Sequence, residues 1–194
     1  MSPRIGPGTQ RDIGLVNMGI ARILGAATGG GPPNLFTTLA RHRGTYRKWL
    51  RFAGALMPGG ELPRDESELV ILRVAHNTDC EYEWRHHERL GAQAGLSPDE
   101  IERVRMGPDA GWSERRAALL RATDELHADR RISNEVWAEL RPALSDEQLI
   151  ELCLLAGHYE MLAMTLNSLE VEPDAPPRRT TRAMRLAEKI SSRR

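Results

Sequence analysis

Residues 65–100, "DESELVILRVAHNTDCEYEWRHHERLGAQAGLSPDE", carry the opening of three successive helices, and their reading decides the fold. Asp65 stands where its carboxylate can accept from first-turn amides, and Glu68 occupies the capping-box position three residues on. The apolar run "LVILRVAH" then continues a helix. "TDCE" at 78–81 repeats the form with Thr78 and Glu81, predicting a second helix over 79–93. Gly95 suits its exit, and Ser97 with Pro98 at the preferred first position opens a third.

The flanking sequence reads the same way. Segment 10–28 spaces Ile13, Val16, Ile20 and Ile23/Leu24 at helical intervals before "GGGPP" stops it. Segment 34–57 predicts one helix with Asn34 as a potential cap, which Gly44 interrupts or spans. Helices follow over 113–128, 133–141 and 145–169, each opened by a serine, the last with a Ser145/Gln148 box. No stretch alternates apolar and polar over about five residues, and no Asn-Gly or Asp-Gly turn joins β-rich runs. The expectation is an all-α, single-domain bundle of about seven or eight helices. Residues 1–31 read as an N-terminal helical extension, 32–172 as the main helical domain, and 173–194 as a Pro-containing linker with a basic tail.

Lys plus Arg equals Asp plus Glu at 27 each, so no net field draws in nucleic acid or an anionic membrane. No run of about 18 apolar residues predicts a membrane span, and the first residues have no signal-peptide core. Two cysteines, Cys80 and Cys153, are too few for a disulfide framework. These features predict a cytoplasmic protein with reduced thiols, free to self-associate.

Chemistry concentrates at 78–90. On a helix over 79–93, Cys80, Glu83 and His87 share one face at spacings of three and four. Cys80 falls in the first turn, where free amides and the helix dipole favour a thiolate. A carboxylate one turn before a histidine can fix the imidazole tautomer or trade protons with the same substrate. The competing readings are plain ones. Glu83–His87 also reads as a surface pair, Cys80 as a small core residue, and Glu68 as a helix cap. Arg73, inside an apolar run, either snorkels or meets a buried carboxylate. Tyr82 and Trp84 read as core or as a substrate platform. His158 interrupts an apolar helix and reads as a hydrogen-bonded core histidine; Cys153 reads as core, while His42, His86 and His127 carry no signal. Cys80, Glu83 and His87 could offer metal ligands, but no second His/Cys pair stands at ligand spacing, so no metal is expected. Serine-triad and phosphate-loop motifs are absent.

Residues 61–104 resemble the carboxymuconolactone decarboxylase family, which shares its all-α fold with alkylhydroperoxidase D. Tyr82-Glu83-Trp84, followed by His87 and the Gly-Leu-Ser turn at 95–97, carries the likeness. "NLFTTLARH" at 34–42 and "GHYEMLAMTLNSLEVEPD" at 157–174 resemble flanking segments of a broad subgroup. The peroxidase branch uses a glutamate, a C-x-x-C pair and a histidine four residues later. Glu68, Cys80 and His87 match that pattern, but Glu83 stands in place of the second cysteine, so no local disulfide can close. The resemblance therefore implies the decarboxylase branch: a cofactor-free enzyme acting on a small lactone or organic acid. His87, Glu83, Glu68 and Cys80 are then the catalytic candidates, and Arg73, Tyr82 and Trp84 the substrate-binding ones. It also implies a homo-oligomer, a trimer or hexamer or else a dimer. Thiol peroxidase activity through Cys80 and a non-catalytic ligand-binding oligomer remain the alternatives.

Overall fold

A computed structural model describes residues 2–27 and 30–175. Among them stand nine helices and no strand: α1 (Gln10–Ala27), α2 (Asn34–Leu39), α3 (Arg43–Leu56), α4 (Arg64–Asn77), α5 (Glu81–Ala94), α6 (Pro98–Met106), α7 (Glu114–Asp129), α8 (Asn134–Leu140) and α9 (Asp146–Leu169). The all-α bundle expected from the sequence is the fold. The basic tail beyond residue 175 lies outside the described residues.

α4 is the axis. Residues 66–72 are all buried, so no side of this helix faces water over two turns. An element apolar on every side needs neighbours on every side, and α4 packs against α5, α6, α7 and α9. Val70, Ile71 and Val74 join Leu119, Leu152, Leu155 and Ala163 in the larger core between α4, α7 and α9. Leu69 and Leu72 join Trp84, Ile101, Val104 and Leu120 in a second core towards α5 and α6. A third, Ile13, Met18, Ala40 and Tyr46, holds α1 to α2 and α3.

Several helix boundaries depart from the sequence reading for local reasons. Segment 34–57 is two helices, and the break falls at 40–42 rather than at Gly44, which is helical. His42 ends the interruption by capping α3, accepting from the Thr45 amide. Asn34 caps nothing; its amide donates to Asp174 Oδ1 at 2.7 Å. α1 is kinked at Gly14 (φ 83°), where the Arg43 guanidinium donates to the carbonyls of Arg11 and Asp12. The kink resets the helical face, so Ile13 is buried while Val16 and Ile23 are exposed. Neither α4 nor α5 has a side-chain cap: Pro63 precedes α4, Cys80 precedes α5, and Thr78 closes α4 by donating to the Val74 carbonyl at 2.7 Å. The boxes at Ser97/Glu100 and Ser145/Gln148, the caps at Ser113 and Ser133, and the left-handed exit at Gly95 (φ 106°) form as expected.

α9 is long and apolar enough to cross a membrane by composition, but 56% of that window is buried inside the fold, as befits a core helix. Its outward row, Ile150, Leu154, Met161 and Met164, is exposed. Cys153, expected in the core, lies on this exposed side as well.

Candidate active site

Glu83 and His87, one turn apart on α5, both line a cavity of about 360 Å³. Its other walls come from α1, α2, α3 and α9, with Leu24, Phe36, Trp49 and Tyr159 among them. α4 supplies Glu68 from beneath. This carboxylate is fully buried and is not a helix cap. Its Oε2 lies 2.7 Å from His87 Nδ1, and its Oε1 accepts from Arg64 at 2.7 Å. Glu68 thus stands between Arg64 and His87, with one carboxyl oxygen on each. A contact to Nδ1 leaves Nε2 as the ring nitrogen not engaged by Glu68. The Tyr159 ring meets the His87 ring edge-on, with centroids 5.0 Å apart, and limits how the imidazole can turn.

Glu83 is 2% exposed, and neither carboxyl oxygen has a hydrogen-bond partner among the described residues. Burial, reinforced by the negative charge of Glu160, pushes its pKa well above the ordinary carboxylate value. An acid in apolar surroundings keeps its proton because its anion lacks solvation. Thus a carboxyl group whose burial favours its protonated form and a histidine held by Glu68 lie one turn apart on α5. The carboxylate in contact with His87 is Glu68 rather than Glu83.

Tyr82 also lines the cavity. Its hydroxyl donates to Asp174 Oδ2 at 2.8 Å and accepts from the Leu35 amide at 3.1 Å. Asp174 also receives the first amide of α2, so the segment after α9 fastens α2 to α5 at the cavity's edge.

Three expected site residues lie elsewhere. Cys80 is buried but outside this cavity, and its thiol is pushed up to about 12, by burial first and then by the charge of Glu83. The first-turn amides do lower it, but they are outweighed, so the expected thiolate does not form at neutral pH. Arg73 meets Asp124 through two contacts, at 2.6 and 2.8 Å, and donates to the Val104 carbonyl. This ties α4 to α6 and α7. Trp84 sits in the second core with the Arg105 guanidinium 3.6 Å over its ring.

The cavity also contains residues that the sequence reading passed over. Arg64 precedes Glu68 by one turn, a spacing that could have been noticed. His86 stacks on Tyr82, and burial lowers its pKa to about 3. His158 stacks on Trp49, and burial lowers its pKa to about 4. The Nδ1 atoms of both histidines lack hydrogen-bond partners among the described residues, so His158 is not the hydrogen-bonded core histidine expected. Trp49, from α3, carried no local signal at all.

Solved structures share this architecture. An uncharacterized peroxidase-related protein from Silicibacter sp. TM1040 superposes with a TM-score of 0.78 at 17% identity, covering 90% of this chain and 95% of its own. The alkylhydroperoxidase AhpD core of a peroxidase-related protein from Ralstonia eutropha JMP134 gives 0.77 at 18%, covering 90% and 94%. A cysteine-to-alanine variant of the debrominase Bmp8, in complex with 2,3,4-tribromopyrrole, gives 0.76 at 14%, covering 94% and 98%. At these identities the likeness is one of fold. No protein among those with curated functions matches the chain significantly. Residues 43–125, spanning α3 to α7 and holding Glu68, Glu83 and His87, match the carboxymuconolactone decarboxylase family. The chain is therefore similar over this segment to the carboxymuconolactone decarboxylase family, and its fold is alkylhydroperoxidase D-like.

Proposed function

We propose that the protein is a cofactor-free acid–base enzyme that moves a proton on a small organic molecule held against α5. One observation carries this reading: a histidine in contact with a buried carboxyl group, and a second buried carboxyl group with no hydrogen-bond partner among the described residues, lie one helical turn apart in one cavity. In such a site His87 Nε2 takes a proton from the substrate, and Glu83 returns one at carbon or at a developing enolate oxygen. Decarboxylation of an unsaturated lactone acid is the narrower form. There the electron pair left by carbon dioxide delocalises into the conjugated carbonyl, and Glu83 protonates the resulting carbanion. The family match supports this form without specifying it.

The test is a screen of unsaturated lactones and lactone acids in deuterated water, followed by mass spectrometry for deuterium at carbon and by carbon dioxide release. Deuterium uptake that requires His87 and Glu83 is expected. A full screen without exchange or gas, in the face of measurable ligand binding, leaves a binding module instead. The thiol alternative has little support, because Cys80 is buried, outside the cavity and protonated. It requires Cys80→Ser to abolish activity, whereas the acid–base reading expects that variant to keep it.

The proposal includes a cytoplasmic setting, consistent with two unpaired cysteines, and a homo-oligomer. Self-association is supported by the exposed row on α9. Ile150 and Met164 lie seven residues either side of exposed Gly157, with Leu154 and Met161 between, so an antiparallel copy would meet it end for end. A monomer mass by light scattering at micromolar concentration removes this part.

A further inference from the structure

We infer that Arg64 is the residue that reads the substrate's charge: its guanidinium takes the carboxylate of a small unsaturated acid and holds the rest of that molecule in the cavity lined by His87 and Glu83. The inference deepens the acid–base reading, and rests on it only for treating the bound acid as substrate.

Position is the first ground. Arg64 opens α4 and lines the cavity together with Met57 and Pro58. Its side chain is 38% exposed, whereas that of Glu68, its partner at 2.7 Å, is 0% exposed. The guanidinium thus stands between solvent and the buried carboxyl group that meets His87. A ligand carboxylate bound at a partly exposed cation keeps part of its hydration, so the cost of desolvating it is reduced.

Donor chemistry is the second ground. A guanidinium is a permanent cation with five N–H donors in a planar fork that matches a carboxylate. Nη2 of Arg64 donates to Glu68 Oε1, whereas Nη1 faces the thioether of Met57. A thioether sulfur is a weak acceptor. A carboxylate oxygen accepts from a guanidinium far more strongly, so a ligand can claim the donor now turned to Met57. The contact with Glu68, one turn along α4, also steadies the side chain before any ligand arrives. Little rotamer freedom is then left to lose on binding.

Reach is the third ground. Burial raises the Tyr159 hydroxyl well above its ordinary pKa, and the charge of Arg64 opposes that rise. Arg64 therefore acts on the part of the cavity that Tyr159 occupies, and the Tyr159 ring meets the His87 ring at 5.0 Å between centroids. An acid anchored at Arg64 lies beside the proton-transfer pair. Leu35, Phe36, Leu90 and Leu162 offer apolar wall to its hydrocarbon part, and a volume of about 360 Å³ keeps that part small.

The experiment is calorimetric titration of the full chain near neutral pH with trans-cinnamate and with trans-cinnamamide, one flat unsaturated frame with and without the charge. Wild type should bind cinnamate at least about tenfold tighter. Arg64→Met keeps an unbranched stem. It should weaken cinnamate by about tenfold and leave cinnamamide within about twofold, which also shows that the cavity persists. Arg64→Lys keeps the charge without the fork and should fall between the two. Arg73→Met, away from the cavity, should retain the full preference. Wild-type binding of the amide as tight as that of the acid overturns the assignment, as does failure of cinnamate to bind or a preference that survives Arg64→Met. Should Arg64→Met fail to fold, Arg64→Lys decides: cinnamate weakened about threefold or more beside unchanged cinnamamide supports the assignment, and an undiminished preference overturns it. A wild type that prefers cinnamate through Arg64 yet exchanges no proton on any ligand of the screen sinks the acid–base reading and leaves this assignment standing. Proton exchange on lactones and lactone acids alike, indifferent to Arg64→Met, does the reverse.

Discussion

His87 and Glu83 differ in what their surroundings ask of them. His87 is held by Glu68 at 2.7 Å, whereas Glu83 has no hydrogen-bond partner among the described residues, so the two make separable predictions. His87→Ala and Glu83→Gln should each lower turnover by about 10²–10⁴-fold, measured as kcat on whichever substrate the screen yields. Glu68→Gln should lower kcat with little change in KM, because the amide cannot hold the same tautomer with the same charge. Near-normal rates in all three variants would remove the acid–base assignment. Glu83 also makes a stability prediction. Its pKa is raised on folding, so the native state holds the proton more tightly than the unfolded chain. Its contribution is whole below the unfolded value of about 4.3 and is lost as pH rises towards the raised native value. Glu83→Gln should therefore raise the urea midpoint at neutral pH and flatten the decline above about pH 5. His86 and His158 act in the opposite sense, with native values lowered to about 3 and about 4. Their contribution is present above the unfolded value of about 6.5 and is lost as pH falls through the native values. His158→Phe should make the protein more resistant to acid unfolding between about pH 6 and 4, measured by circular dichroism.

At the scale of elements, α4 was readable as a helix but not as the hub. "LVILRVA" announces burial, yet only the packing of four neighbours explains why Glu66, Ser67 and Glu68 are buried with it. Glu66 meets Arg115 from α7 at 2.7 and 2.8 Å, and Glu68 meets His87 and Arg64. The capping box predicted for Glu68 failed because a partner one helix away competed successfully for its carboxylate. Arg73 is the matching case on the other side of α4. It joins α4, α6 and α7 through Asp124 and the Val104 carbonyl, away from the cavity. Arg73→Met should lower unfolding free energy by about 2–3 kcal/mol, since it strands Asp124 and a helix-end carbonyl. Binding of cavity ligands to that variant should be unchanged. A large loss of ligand affinity would restore Arg73 to the site.

Across the whole molecule, the segment following α9 reaches back to the cavity. Asp174 accepts from the Asn34 amide at 2.7 Å and from the Tyr82 hydroxyl at 2.8 Å, while the Glu172 carbonyl accepts from the Asn34 side chain. These bonds join residues 92 to 140 positions apart in sequence. Asp174→Ala should cost about 1.5–3 kcal/mol and raise hydrogen exchange in α2 before it does so in α4. Unchanged exchange in α2 would show that apolar contacts alone hold that helix.

Local sequence sufficed for what local physics governs. Serine caps, the Ser-Pro start of α6, the glycine exit of α5 and the apolar periodicities established an all-helical chain, and Glu83 and His87 were legible as neighbours because a helix turns every 3.6 residues. The Tyr82-Glu83-Trp84 and His87 motif pointed to the family. Tertiary packing alone decided the rest. It brought Glu68 onto His87 from 19 residues away, buried Glu83, raised the Cys80 thiol and turned Arg73 and Trp84 out of the cavity. Trp49, His86 and His158 came to line the cavity for the same reason. A side chain's charge state and its partner depend on distance and desolvation, and both are set by helices that meet in space without being adjacent in sequence.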